Sequence, residues 1–125
     1  MKISNEKILN SIPVLNKISN MDLPIKTCFT ISKNINKINE IVKVYNTYRD
    51  KLIDKHCEKK DGEPVIEGNS IKLKQEEVED FNSELKELLD IENELDITKI
   101  KIDDLNNISL SVLEFNSIRY LIEEE

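Results

Sequence analysis

The chain is poor in the residue types on which most functional sites depend. It has no Ala, no Trp, two Gly, two Cys and one His among its 125 residues. With so few Gly, no glycine-rich phosphate-binding loop can be recognised. The Cys and His residues together cannot provide the four ligands of a closed zinc site. We therefore expect neither a metal ion nor a cofactor.

Long apolar segments are also missing. No run approaches the roughly 18 apolar residues that mark a membrane-spanning helix, and residues 1–15 lack the unbroken apolar core and cleavage site of a signal peptide. Cys28 and Cys57 bracket a strongly helical segment, which would separate them by about 43 Å. A disulfide requires Cα atoms within about 7 Å, so no intramolecular bridge is expected. The expectation is a cytoplasmic protein with two reduced thiols.

What the chain does have is charge, and the charge is unevenly distributed. Residues 1–57 carry ten Lys or Arg and five Asp or Glu, a net charge of +5. Residues 58–125 carry eight and twenty, a net charge of −12, within an overall −7. Such polarity bears on how the two halves meet and on the kind of partner. From the length and the modest hydrophobic content we expect a single domain, residues 1–125, with a thin core.

The clearest predicted element is a long helix from Pro24 to about His56. Its apolar residues recur at spacings of three and four, which is the pattern of one buried helical stripe. Arg49 and His56 occupy stripe positions where an apolar residue is expected, which indicates an exposed or specialised C-terminal end. The stripe consists of Cys28, Ile31, Ile35, Ile38, Val42, Tyr45 and Leu52, widened by Ile25, Phe29, Ile41, Tyr48 and Ile53.

Shorter elements flank this helix on both sides. Ser4 to Ser19 also has helical spacing, but Pro13 interrupts it, so we expect either a kink or two pieces with the second beginning at Pro13. Residues 58–74 contain turn signals at Gly62 and Gly68 and predict a small β-hairpin.

The last third of the chain predicts two further helices and a strand. Residues 75–91 form an amphipathic helix with Glu and Asp in its first turns. Residues 95–102 alternate with a slip near Thr98, which predicts a strand with a β-bulge or a late start. Ser111 and Glu114 form a capping-box pattern that begins a closing helix.

These elements predict a mainly α fold with some β (α+β). The long helix and the helix of residues 75–91 would form a long antiparallel helical hairpin, joined by the small β-hairpin and covered by short flanking helices. The apolar stripes provide the stabilisation. The opposite charges of the two helices stabilise each pair by well under about 1 kcal/mol and mainly set their register.

One pair of adjacent residues is of a type used in catalysis, but its arrangement on a helix does not support a catalytic role. His56 and Cys57 are adjacent, which is the residue pairing of a Cys–His nucleophile. Adjacent residues on a helix point about 100° apart, and neither an orienting group nor an oxyanion-binding turn accompanies them. We predict that His56 is a surface residue at a helix end, that the chain has no catalytic residues and that it is not an enzyme.

The helix of residues 75–91 displays regularly spaced negative charge. A solvated face is the default interpretation of such a run. The alternative is a face that occupies a basic groove built for nucleic acid on another protein. Direct nucleic-acid binding is disfavoured, because the chain as a whole is acidic. The candidate partner-binding residues are Glu76, Glu77, Glu79, Asp80, Glu84, Glu87 and Asp90.

The segments at residues 49–55 (RDKLIDK) and 81–92 (FNSELKELLDIE), together with the order of the elements, carry a resemblance. On them the chain resembles small uncharacterised proteins of phages and prophages of low-GC bacteria. The composition agrees, because nineteen Ile, fourteen Asn and sixteen Lys without Ala indicate an AT-rich genome. The resemblance implies a viral accessory protein and assigns no functional residue.

Taken together, these features predict a non-enzymatic, phage-type acidic protein that binds a larger protein. The favoured version is a host-defence inhibitor of the anti-CRISPR-like kind, whose partner is a nucleic-acid-binding host complex. The alternative is a virion or tail assembly component, in which the long helix packs in a homo-oligomer.

Overall fold

The computed structural model describes residues 1–123, which are mainly helical with several short strands. The helices are α1 (Asn5–Ser19), α2 (Ile25–His56), α3 (Val78–Asp90) and α4 (Val112–Ile118). The strands are β1 (Lys2–Ser4), β2 (Lys59–Lys60), β3 (Glu63–Pro64), β4 (Ile66–Glu67), β5 (Ser70–Ile71), β6 (Glu92–Glu94), β7 (Ile100–Lys101) and β8 (Ile122–Glu123). The predicted fold class, mainly α with some β, is confirmed.

The chain forms two compact units. The first consists of Met1–Val42 together with the residues from Glu92 onward, and the second consists of Lys43–Ile91. Helix α2 contributes its residues 25–42 to the first unit and 43–56 to the second.

In the first unit, α1 packs against α4. The Ser4 side chain caps α1 by accepting a hydrogen bond from the Lys7 backbone N–H at 3.2 Å. The helix continues through Pro13 to Ser19, so of the two predicted alternatives, a kink or two pieces, the second is wrong. At the other end of the unit, the predicted capping box of α4 is present, because Ser111 and Glu114 each accept from the other's backbone N–H.

Two small sheets join the ends of the first unit. β1 pairs antiparallel with β6, with Ile3 opposite Asn93, and β7 pairs parallel with β8, with Ile100 opposite Ile122. The strand predicted over residues 95–102 is therefore correct only at Ile100–Lys101. The sheets and helices enclose one apolar core, which comprises Ile3, Ile8, Val14, Leu15, Ile18, Ile31, Ile38, Leu95, Ile100, Leu105, Ile118, Leu121 and Ile122.

The first turns of α2 carry an apolar face that this core does not cover. Ile31 and Ile38 are buried, whereas Ile25 is 82% exposed and Phe29 is 66% exposed. At about 100° per residue, Phe29 lies on the side of the helix opposite Ile38. The expectation that Ile25, Phe29 and also Tyr48 widen the buried stripe is therefore wrong.

In the second unit, the C-terminal part of α2 lies beside α3 in antiparallel order. His56, at the end of α2, contacts Glu77, directly before α3, and Phe81, in the first turn of α3. Lys55 contacts Glu84, about one turn further along α3. Further back along α2, Tyr48 and Leu52 share a groove with Leu88 and Ile91 at the end of α3. A 3-10 turn, Gln75–Glu77, precedes α3, and α3 ends at Asp90, which agrees with the predicted helix over residues 75–91.

Between these helices the chain forms two hairpins rather than one. β2 pairs with β3 and β4 pairs with β5, and the turns place Gly62 and Gly68 at positive φ, as such tight turns require. The segments after α2 and before α3 pair as well, through Cys57 and Leu73.

These pairings close into a ring. The Glu58 N–H donates to the Lys72 carbonyl, the Lys72 N–H donates to the Val65 carbonyl, and the Val65 N–H donates to the Glu58 carbonyl, each at 2.8 Å. The three residues are spaced seven apart, and so are the pairs Lys59–Pro64 and Ile66–Ile71, so the segment has approximate threefold repetition. We refer to Cys57–Lys74 as the three-strand ring.

Candidate functional site

The acidic helix and its flank form the candidate functional site. Residues 75–91 carry seven Asp or Glu and one Lys, a net charge of −6. The structure divides the seven predicted residues into two groups. Glu77, Glu84 and Asp90 form ion pairs with lysines of the second unit. Glu76, Glu79, Asp80 and Glu87 are exposed. We refer to these four exposed residues as the acidic face.

Two of the paired residues, Glu77 and Glu84, contact His56. This side chain is buried, with 2% of the residue exposed. Its Nδ1 lies 3.1 Å from Glu77 Oε1 and its Nε2 lies 3.4 Å from Glu84 Oε1, while the ring meets Phe81 edge to face at a centroid distance of 6.0 Å. The prediction that His56 is a surface residue is therefore wrong. The role of His56 is structural, because its contacts join the end of α2 to α3.

Two lysines complete the ion pairs around His56. Lys55 Nζ lies 2.9 Å from Glu84 Oε1, and Lys74 Nζ lies 3.4 Å from Glu77 Oε2. The hydrogen bond from Lys55, which outweighs partial desolvation, lowers the pKa of Glu84 below its ordinary value of 4.5. Desolvation raises the pKa of Glu77. The hydrogen bond with His56 and the charge of Lys74 together lower the pKa by more than desolvation raises it, so the pKa of Glu77 is also below 4.5. Both carboxylates therefore form contacts within the second unit and do not belong to the acidic face.

An open apolar groove of about 550 Å³ runs along α2 and α3 beside the acidic face. Leu52 and Leu88 are its half-buried residues, and Tyr48 and Ile91 are each about half exposed. Glu87, a member of the acidic face, also lines it. The sequence did not indicate this groove, because Tyr48 and Leu52 were assigned to the buried stripe.

The remaining chemistry of the described residues is sparse. Within residues 1–123, no group of three or more His, Cys, Asp and Glu side chains is arranged to hold a metal ion. Cys28 and Cys57 are unbridged. Cys57 is buried directly after α2, with its Sγ 3.6 Å from the Asp54 carbonyl oxygen. Over the same residues, no helix combines the length and apolar character needed to cross a membrane.

Comparison of the chain with protein-family models, with curated proteins and with solved structures finds no match.

Proposed function

We propose that this protein acts without catalysis, by binding a positively charged surface of a larger protein through the acidic face and the apolar groove beside it. The observation that carries the proposal is the combination of exposed carboxylates and an apolar groove in the second unit. Glu76, Glu79, Asp80 and Glu87 are exposed, and Glu87 lines the groove together with Tyr48 and Ile91.

The two features have different physical roles. Spaced surface charge steers a partner of opposite sign and raises the association rate, with a strong dependence on salt. Aromatic and aliphatic side chains in a groove provide the anchors that retain a bound partner. The partner segment that fits is therefore an apolar side chain flanked by Lys or Arg.

The phage setting of the proposal comes from the resemblance of the chain to phage and prophage proteins. A helix that carries a net charge of −6 over residues 75–91 has the sign needed to occupy a groove built for nucleic acid. We therefore place the partner among nucleic-acid-binding host proteins, with a host-defence enzyme inhibited in the anti-CRISPR-like manner as the favoured version.

The test compares three proteins as bait in a host lysate. One is the natural chain, one carries Glu76→Gln, Glu79→Gln, Asp80→Asn and Glu87→Gln, and one carries the matched changes Glu6→Gln, Glu40→Gln, Asp103→Asn and Asp104→Asn in the first unit. Both variants have the same net charge, so a difference between them reports the position of the charge.

The expected result is a nucleic-acid-binding protein that the natural chain and the first-unit variant retain at about 50 mM salt and release at about 500 mM. The variant of the acidic face should not retain it. Retention that is equal for all three proteins, or that does not change with salt, would contradict the proposal.

A second candidate function rests on a different observation. Ile25 and Phe29 are exposed one turn apart on α2, on a face that the core of the first unit leaves uncovered. This favours packing of α2 in a homo-oligomer, as in a virion or tail assembly component. Light scattering should then show an oligomer that Ile25→Ser with Phe29→Ser dissociates, whereas Val112→Ser, at another exposed apolar residue, should not. A monomer at all accessible concentrations would contradict this function.

A further inference from the structure

The first unit contains a cleft lined by basic residues, in contrast to the acidic face of the second unit. It lies along α1 and α4, with a volume of about 720 Å³, and it is open to solvent. Its lining residues include Lys7 and Asn10 of α1, Lys99, Asn116 of α4, and Arg119 and Tyr120 directly after α4.

The described residues that line this cleft carry charge of one sign. Three of them are cationic, and within residues 1–123 none that lines it is Asp or Glu, in a chain that has twenty-five acidic and eighteen basic residues. Lys7 and Lys99 are exposed, and neither forms an ion pair in the described part of the chain. Two ammonium groups that line one cleft attract an anion.

The other lining groups suit the organic part of such an anion. The side-chain amides of Asn10 and Asn116 each provide donors and an acceptor. Leu113 is 82% exposed and provides an apolar wall. The Tyr120 ring is held in place, because its hydroxyl lies 2.7 Å from Ser11 Oγ of α1, and burial raises the pKa of Tyr120, which keeps the phenol neutral.

We propose that this cleft binds a small phosphate-bearing molecule of about nucleotide size. Lys7 and Lys99 bind the phosphate groups by charge-assisted hydrogen bonds. Tyr120, Leu113 and the two Asn amides contact the organic body. The volume supports a ligand of this size, because small-molecule sites occupy roughly 300–1,000 Å³.

The test uses ATP, inorganic phosphate and adenosine as separate probes, at about 50 mM salt because the attraction is screened at higher salt. Binding is followed by calorimetry and by NMR shifts of the Asn10 and Asn116 side-chain amides. The variant is Lys7→Gln with Lys99→Gln. The matched control is Lys43→Gln with Lys60→Gln, which removes the same charge from exposed positions of the second unit. Thermal unfolding confirms that both variants are folded.

We expect ATP to bind with shifts at Asn10 and Asn116, more tightly than either phosphate or adenosine. The Lys7 and Lys99 variant should weaken ATP binding by about tenfold or more, because the charge-assisted contacts to the phosphate groups are lost. The control should change it less than about twofold. Absence of ATP binding, equal weakening by both variants, or phosphate binding as tight as that of ATP would overturn the proposal. So would tighter binding of an acidic peptide.

Discussion

The side chain of Asn34 forms two hydrogen bonds with the backbone of Thr98. Its Nδ2 donates to the Thr98 carbonyl at 2.8 Å, and the Thr98 N–H donates to its Oδ1 at 3.1 Å. A side-chain amide thereby takes the place that a neighbouring strand would occupy. This explains why Asp96 to Lys99, which lie within the alternating segment, are held against α2 without joining a sheet.

Removal of this amide should cost stability. Asn34 is buried, so Asn34→Ala leaves both backbone groups of Thr98 without their partner, and we expect a loss of about 2 kcal/mol in the free energy of unfolding. Urea denaturation followed by circular dichroism measures it. The control is Asn36→Ala, which makes the same exchange at an exposed position of α2 and should leave stability within about 0.5 kcal/mol. Equal stability of the two variants would refute the role assigned to Asn34.

The core of the first unit predicts a second contrast on the same helix. Ile38 is fully buried, so Ile38→Ala should lower the free energy of unfolding by about 2–5 kcal/mol through lost burial and a cavity. Ile25→Ala makes the same exchange at an exposed position and should change it by less than about 0.5 kcal/mol. Thermal and urea unfolding of both variants would show whether the uncovered face of α2 is as dispensable to the fold as its exposure indicates.

The ion pairs around His56 predict a dependence of stability on pH. The pKa values of Glu77 and Glu84 are lower in the folded protein than their ordinary value of 4.5. These carboxylates therefore stabilise the fold above the unfolded pKa, and their contribution is lost as the pH falls through the lower folded values. Urea midpoints of the natural protein and of Glu84→Gln should differ at about pH 7 and converge toward about pH 3.

A control for the pH experiment is available on the same helix. Glu79 is exposed and lies outside the His56 cluster, so the difference between Glu79→Gln and the natural protein should stay small at every pH. If Glu79→Gln and Glu84→Gln gave the same pH profile, the effect would come from net charge and not from the ion pairs at His56.

The capping box of α4 predicts a local effect. The Ser111 hydroxyl accepts from the Glu114 N–H at 3.1 Å, and the Glu114 carboxylate accepts from the Ser111 N–H and pairs with Lys17 of α1 at 2.9 Å. Ser111→Ala should lower the free energy of unfolding by about 1 kcal/mol. The same exchange at the neighbouring exposed Ser109 should have no measurable effect, and a loss there equal to that of Ser111→Ala would contradict the assignment of the cap.

The elements that local chemistry specifies were predicted from sequence. The stripe from Ile31 through Tyr45 predicted α2, the Ser111–Glu114 pattern predicted the start of α4, and two glycines predicted the turns of residues 58–74. Each of these signals lies within one continuous segment of chain, and such local signals are the ones that periodicity and capping rules detect.

The pairings between distant segments were missed. β1 has three residues, of which Ile3 alone is apolar and buried, so no period-2 pattern could identify it or its partner β6. The clamp of Asn34 on Thr98 joins residues 64 apart and leaves no mark in either segment. In the site, the sequence identified the acidic residues but not which of them are paired within the fold. Glu77 and Glu84 are paired because they lie beside the buried His56. The one sequence signal of that burial was the position of His56 in the apolar stripe of α2.

The three-strand ring has a consequence for solubility. Ile66 and Ile71 are exposed cross-strand neighbours, and an isolated hairpin carrying them would offer its outer N–H and C=O groups to another chain. Because Glu58, Val65 and Lys72 bond to one another in a cycle, each strand already has a neighbour on both sides at its centre. The segment thus presents aliphatic side chains to water, while the backbone groups at the centre of the ring are already paired and unavailable for amyloid-like stacking.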